Sequence, residues 1–183
     1  MKKLLTFLIL AASPLFANSA DELISKGAKI NDYAYFFVTN EQTLAAIDNN
    51  IYDPIEWDAN QSFSTQDVYL DANDSANIII EDKGIYLVTY YVVADPDGDA
   101  YRIGALLNGN LLVGSIYGAD TSDTDVAPVF GQFIFEVTEK NSNLELVNAG
   151  ATLVELQEIS TIIGETNTVT ASIIIEKINK HRS

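Results

Sequence analysis

The hydrophobic positions of this chain follow the two-residue period of β-strands over most of its length. From residue 34 onwards, short stretches rich in Val, Ile, Tyr, Phe and Thr alternate with turn residues, and no long segment keeps apolar positions at helical spacing. The pattern predicts one all-β domain over residues 34–178, built as a sandwich or barrel. The predicted strands are Tyr33–Thr39, Asp67–Leu70, Ala76–Glu81, Ile85–Val93, Tyr101–Leu107, Leu111–Tyr117, Val129–Val137, Ser142–Val147 and Thr168–Ile178, with a short additional strand at Ala151–Glu155.

Turn residues separate these strands. Asn108-Gly109 lies between two apolar stretches, and both residue types tolerate positive φ, so a type I′ hairpin turn is predicted there. Asp82-Lys83-Gly84 and Lys140-Asn141 predict two further turns. Residues 40–66 alternate weakly and contain Pro54, which predicts edge strand and loop.

Several predicted strands are apolar on both faces, which is unusual for a simple sandwich with one wet face per sheet. In the strand Ile85–Val93, both alternating sets of side chains are apolar or aromatic. The same holds for Tyr35–Val38, Val129–Val137 and Ile173–Ile175, whereas Leu144–Leu146 alternates cleanly. We therefore expect one sheet to have its second face covered.

No predicted helix remains to cover that face, so another copy of the chain is the simplest cover. An apolar sheet face would exceed the few hundred Å² of apolar patch that monomers usually expose. A monomer with a thick, imperfectly alternating core is the alternative. The pattern favours self-association.

Composition narrows the possible functions. The chain carries 10 Lys and Arg against 26 Asp and Glu, a formal net charge of −16 at pH 7. This charge disfavours nucleic acids and anionic membranes as partners. There is no cysteine, and His181 is the only histidine, so disulfides, thiolate chemistry, a Ser-His-Asp triad and a multi-histidine metal site are not expected.

The first 20 residues have the organisation of a secretory signal peptide. Lys2 and Lys3 precede a short apolar stretch over residues 4–12, and small residues follow at Ala17 and Ala20. The apolar stretch is too short for a transmembrane helix, which needs about 20 residues. The sequence therefore predicts export to the cell surface, the medium or a periplasm. Residues 21–33 form a short polar leader, and residues 179–183 a basic tail.

The order of several motifs resembles a known family. Gly84–Tyr91 resembles the Gly-x-Tyr-x-x-x-Tyr strand of complement C1q and tumour-necrosis-factor-like (TNF-like) jelly rolls, and Ala105–Leu112 the Asn-Gly hairpin that follows it. Gly131–Leu146 and Thr170–Ile178 resemble the next strand pair and the closing strand. Within this family, the sequence is most similar to the C-terminal heads of bacterial collagen-like exosporium glycoproteins, although no Gly-x-y stalk precedes it.

The resemblance implies a ten-stranded antiparallel jelly-roll sandwich that assembles as a homotrimer, with the first, central and last strands facing the threefold axis. It also implies a non-catalytic recognition or structural head whose surface loops bind the ligand. The residues expected at the trimer core are Phe36, Leu87, Val88, Tyr90, Tyr91, Phe133, Phe135 and Ile174. Which face of the central strand lines the axis stays open.

Acidic residues cluster in alternate connections, which share one end of an antiparallel sandwich. Carboxylates gathered in this way suit Ca²⁺, which takes 6–8 oxygen ligands. Solvated turns are the alternative, because Asp and Gly favour turns for backbone reasons. A third connection contributes Glu158 and Glu165. The candidate calcium ligands are Asp95, Asp97, Asp99, Asp120, Asp123 and Asp125.

Trp57 and Tyr52 form a candidate ligand-binding pair in a Pro-containing segment. Exposed aromatic rings stack on sugars or dock protein partners. A loop packed against the sandwich is the alternative.

The sequence thus predicts an exported, non-catalytic homotrimeric head for recognition, adhesion or surface assembly, with an extracellular protein or glycan as its ligand. Two alternatives remain: a carbohydrate-active enzyme that uses paired carboxylates in the acidic loops, and a purely structural coat or periplasmic subunit.

Overall fold

A computed structural model describes residues 32–58, 63–98, 100–121, 127–156 and 169–178. The predicted signal peptide, residues 21–31 of the leader and the basic tail lie outside these ranges. Within them, no helix is long and apolar enough to span a membrane. The strands are β1 (Tyr33–Val38), β2 (Gln42–Leu44), β3 (Asp53–Pro54), β4 (Phe63–Ser64), β5 (Val68–Asp71), β6 (Asp74–Ile80), β7 (Gly84–Pro96), β8 (Ala100–Leu107), β9 (Asn110–Leu111), β10 (Tyr117–Asp120), β11 (Ala127–Val137), β12 (Ser142–Asn148), β13 (Val154–Leu156) and β14 (Ala171–Ile178).

The strands form two antiparallel sheets that pack face to face. Sheet one has the order β11-β7-β14-β1-β4, and β13 and β2 continue it beside the end of β7. Sheet two has the order β10-β8-β12-β6-β5, with β3 on β12 and β9 on β8. The inward side chains of both sheets form one hydrophobic core. The predicted all-β sandwich is confirmed.

The four strands that are apolar on both faces are neighbours in sheet one. β7 pairs with β11 along one edge and with β14 along the other, and β14 pairs in turn with β1. The sequence pattern thus predicted which strands share a sheet, although they lie far apart in the chain. The outer face of sheet one, opposite the core, is the surface that this pattern marks as unusual.

One predicted strand is wrong. Leu111–Tyr117 divides into the short strands β9 and β10, because the chain turns between them at Gly114, whose φ is +93°. Ser115 fixes this turn from a fully buried position: its Oγ accepts a hydrogen bond from the Ala105 amide at 2.9 Å and donates to the Leu112 carbonyl at 2.8 Å. The segment 40–66 contains only short strands, as predicted, and these raise the strand count above the expected ten.

Tyrosine hydroxyls join the two sheets across the core. Tyr90 on β7 points its hydroxyl at sheet two, where it lies 2.9 Å from the carbonyl oxygens of both Ile103 and Ser115. Tyr101 on β8 points the other way, and its hydroxyl lies 2.6 Å from the Ala127 carbonyl on β11. These contacts satisfy polar groups that would otherwise be costly to bury. They also explain the second tyrosine of the Gly-x-Tyr-x-x-x-Tyr strand.

Gly131 makes room for the Tyr90 ring. The two residues face each other in the β7–β11 pair, and a Cβ on Gly131 would lie only 2.1 Å from Cζ of the Tyr90 ring, a severe overlap. Glycine is therefore required here by close packing and not by an unusual backbone angle.

The predicted Asn108-Gly109 turn is confirmed by positive φ angles of 50° and 74° at its two central residues. Asn108 also fastens the hairpin to β12, because its Oδ1 accepts a hydrogen bond from the Asn143 amide at 2.9 Å. Asn49 and Asn50 form a similar turn, with φ of 49° and 65°. The weak alternation of that segment did not reveal it.

Candidate assembly surface

The outer face of sheet one is an apolar surface five strands wide. With strands about 4.8 Å apart, it spans roughly 19 Å from β11 to β4. Phe130 and Ile134 on β11 and Phe63 on β4 are 66%, 64% and 64% exposed, so large side chains flank the surface on both sides. Tyr33, Ile174 and Ile178 are also exposed between them.

Strand register arranges this face in rows. Phe130 lies opposite Tyr91, which lies opposite Ser172, which lies opposite Phe37. The Phe130 and Tyr91 rings are in contact, with centroids 5.3 Å apart. The next two rows run Gln132, Thr89, Ile174, Tyr35, Phe63 and then Ile134, Leu87, Glu176, Tyr33.

Polar groups on this face are few. Gln132 Nε2 donates a hydrogen bond to Thr89 Oγ1 at 3.0 Å, so this pair satisfies part of its own hydrogen-bonding capacity. Glu136 and Glu176 carry the negative charges, on β11 and β14. The face is thus apolar in area and negative in charge.

The apolar surface continues onto the neighbouring edge of sheet two. Tyr117 on β10 donates a hydrogen bond to the Gln132 carbonyl and packs edge-on against Tyr90, with ring centroids 6.0 Å apart. Val113 and Ile116 precede it in an exposed loop, where Val113 is fully accessible. The β10–β11 side of the sandwich is therefore apolar as well.

The eight residues expected at the trimer core lie on opposite faces of sheet one. Leu87, Tyr91 and Ile174 face outward, where another chain can reach them. The remaining five are buried between the two sheets: Phe36, Val88, Tyr90, Phe133 and Phe135.

The sequence of β11 contained the information that distinguishes the outward residues from the buried ones. Gln132 and Glu136 occupy the same alternate positions as Phe130 and Ile134, and polar residues at these positions mark the outer face. The outer hydrophobic residues that sequence reasoning did not select are Tyr33, Tyr35, Phe37, Phe63, Ile85, Phe130, Ile134 and Ile178.

The two candidate ligand-binding aromatics differ in accessibility. Trp57 is 3% exposed and belongs to the core, and its amide donates a hydrogen bond to the Ser75 carbonyl at 3.0 Å. Tyr52 is half-buried. Trp57 therefore fastens the segment after β3 to the start of β6, and the ligand-binding function of this pair stays a prediction.

The described residues that flank the acidic connections lie close together at one end of the sandwich. Thr121 Oγ1 donates to the Gly98 carbonyl at 3.1 Å, and the Asp97 amide donates to the Leu153 carbonyl at 2.9 Å. Asp95 lies in β7 opposite Glu155. These contacts join the β7–β8 turn to the segments after β10 and before β13.

Of the candidate calcium ligands, Asp97 and Asp120 are exposed and Asp95 is half-buried. Asp99, Asp123 and Asp125 lie outside the described residues, as do Glu158 and Glu165. Calcium binding at this end stays a prediction.

A second acidic cluster, not predicted from the sequence, lies where β1 begins and β14 ends. Carboxylate oxygens of Asp32, Asp67 and Asp82 lie within 4.8 Å of one another. Lys177 Nζ donates to Asp82 at 3.0 Å and to Asp32 at 3.1 Å. Lys177, together with Lys140, whose Nζ lies 3.8 Å from Asp82, offsets part of the negative charge of this group.

The ionisation of these groups follows from their contacts. The hydrogen bond from Lys177 lowers the pKa of Asp82, whereas the hydrogen bond with Asp32 and repulsion by its charge raise the pKa of Asp67. Burial alone would lower the pKa of Lys177, but its two hydrogen-bonded carboxylates outweigh this and raise it. The cluster fastens the first and last described strands together.

Comparison with solved structures identifies the architecture. Eiger TNF from S. frugiperda matches with a TM-score of 0.54 and 11% identity, over 84% of this chain and 96% of that one. Murine APRIL at pH 8.0 matches with a TM-score of 0.51 and 11% identity, over 80% of this chain and 98% of that one. The fold is a TNF-like jelly roll. No protein-family model matches the sequence, and neither does any curated protein.

The TNF-like jelly roll covers nearly the full length of both solved chains. At this identity the likeness shows the fold alone, so function must be argued from this chain's own surface. The resemblance to exosporium heads finds no support among these structures.

Proposed function

We propose that this chain is an exported, non-catalytic head that works as a homotrimer and binds an extracellular protein or glycan. The outer face of sheet one carries the proposal. A contiguous apolar surface of this width is typical of interaction sites, and the TNF-like fold agrees with the trimer that the sequence resemblance implies.

Two different apolar surfaces adjoin on each chain, which favours a ring. The β10–β11 side presents Tyr117, Phe130 and Ile134, and the rest of the face presents Tyr33 and Ile174 further across the sheet. The β10–β11 side of one chain can pack on the outer face of the next, which makes every contact heterologous. If the rotation between neighbours closes the ring after three copies, each chain has both apolar surfaces buried. The net charge of −16 per chain then opposes growth beyond the ring.

Adjacent residues of β7 provide the decisive test, because they face opposite ways. Leu87 lies on the outer face, whereas Val88 is fully buried in the core. Leu87→Asp should leave a folded chain of one-third the mass, measured by sedimentation equilibrium or multi-angle light scattering. Val88→Asp should unfold the chain, because it buries an unpaired charge.

Ile51→Asp is the matched control, since it adds the same charge at an aliphatic position that is 72% exposed between β2 and β3, outside the proposed assembly surface. Its mass should equal that of the wild type. A stable wild-type monomer at micromolar concentration would refute the assembly. Turnover in a polysaccharide panel would refute the non-catalytic assignment, and a glycan and protein array would identify the ligand class.

Export is supported by the sequence of residues 1–20. Intact mass of the exported protein should place its first residue between Asn18 and Glu22. Full-length protein retained in the membrane would contradict export.

A further inference from the structure

Glu176 lies within the apolar part of the proposed assembly surface. On the two neighbouring strands it faces Leu87 and Tyr33, and along its own strand it lies between Ile174 and Ile178. All four neighbours are hydrophobic or aromatic. In the single chain the Glu176 side chain is exposed, so water solvates its carboxylate.

The described part of the chain places no cation on this face. Lys177, the next residue, points the other way and is held by Asp32 and Asp82. The other described cations lie in sheet two or in turns: Arg102 in β8, Lys83 before β7 and Lys140 before β12. The titratable groups that share the face are the Tyr33 and Tyr35 phenols on β1, the Tyr91 phenol on β7 and the Glu136 carboxylate on β11.

We infer that Glu176 links self-association of this chain to pH, so that assembly binds protons and strengthens as the pH falls. This inference rests on the proposed homotrimer. Covering the face with another copy removes water from the carboxylate and offers it apolar neighbours instead. Desolvation disfavours the charged form, so the assembled state holds a proton that the separate chains release. A state that binds more protons is favoured at lower pH.

The experiment compares the full-length wild type with Glu176→Gln, which keeps the shape and removes the charge. Association is measured by sedimentation equilibrium at pH 7.5, 6.0 and 5.0 at constant ionic strength, with urea added equally to all samples if dissociation is too weak to detect. Glu139→Gln is the control, because it removes the same charge from an exposed turn.

At pH 7.5, Glu176→Gln should lower the concentration for half-assembly at least tenfold relative to the wild type and the control. Between pH 7.5 and 5.0, the concentration for half-assembly of both the wild type and the control should also fall about tenfold. The Glu176→Gln protein should tighten much less, since only its overall charge changes. Near-neutral pH would then weaken the assembly, and acid would strengthen it.

Two results would overturn the inference while leaving the trimer intact. Identical pH profiles for the wild type and Glu176→Gln would show that this carboxylate does not change its protonation on assembly. Weaker assembly of Glu176→Gln would show that the charge binds a group on the neighbouring chain. A monomer at every pH would refute the proposed homotrimer and the inference together.

Discussion

Removing the Tyr90 hydroxyl tests whether polar contacts between the sheets stabilise the fold. Tyr90 is 1% exposed, and its hydroxyl lies 2.9 Å from the carbonyl oxygens of Ile103 and Ser115. Tyr90→Phe keeps the aromatic ring, its packing over Gly131 and the edge contact with Tyr117. The change therefore isolates one donor proton and the two acceptors that it serves.

The expected cost follows from what remains after the substitution. Two carbonyl oxygens lose a buried donor, and no water can replace it without opening the core. Loss of a buried hydrogen-bond partner typically costs about 1–3 kcal/mol. In a domain of this size, each kcal/mol lowers Tm by roughly 2–4 °C. Tyr90→Phe should therefore lower Tm by about 2–12 °C without changing the fold.

Thermal unfolding followed by circular dichroism measures this shift, with Tyr52→Phe as the control. Tyr52 lies half-buried just before β3 of sheet two, outside the proposed assembly surface, so the same loss of a hydroxyl should change stability by less than about 0.5 kcal/mol. Equal Tm values for Tyr90→Phe and the wild type would refute the argument. They would show that burial of the hydroxyl costs as much as its hydrogen bond returns.

Three further changes follow from the structure. Gly131→Ala should lower the free energy of unfolding, measured in urea, by about 1–3 kcal/mol, because the new methyl group overlaps a buried tyrosine ring. Wild-type stability of this variant would contradict the argument. Lys177→Met should lower Tm most near neutral pH, because the depressed pKa of Asp82 contributes stability above its unfolded value of 3.8. That difference should shrink as the pH falls through the folded pKa of Asp82, and a pH-independent difference would exclude the ion pair as its cause. Millimolar calcium should raise Tm if the acidic end binds it, and Asp97→Asn with Asp123→Asn should abolish that increase; no calcium effect would leave these loops as solvated turns.

Much of the fold was predictable because strand patterns are local. The two-residue period and the Asn108-Gly109 turn depend on residues close in sequence, and both agree with the structure. The doubly apolar strands also carried long-range information. A strand that is hydrophobic on both faces belongs where both faces are covered, and that grouped β1, β7, β11 and β14 correctly.

The sequence did not determine which face of these strands points outward. Tyr90 and Tyr91 are equally aromatic, so composition cannot distinguish them, and the distinction depends on what sheet two places opposite. The sequence of β11 does distinguish the two faces, because Gly131 lies on its buried face and Gln132 and Glu136 lie on its exposed face. The Lys177 cluster was unpredictable for a related reason: Asp32, Asp67 and Asp82 are separated in sequence and meet only after the two sheets pack.

The position of β14 has a consequence for how the chain folds. This last strand inserts between β7 and β1, and its register places Glu176 opposite Tyr33 at the start of the described chain. Sheet one is therefore not closed until the C-terminal strand has emerged from the ribosome. Contacts over such long sequence separations slow folding, because loop-closure entropy is lost before they form. If the chain is exported as proposed, this slow closure of sheet one favours translocation of an unfolded polypeptide.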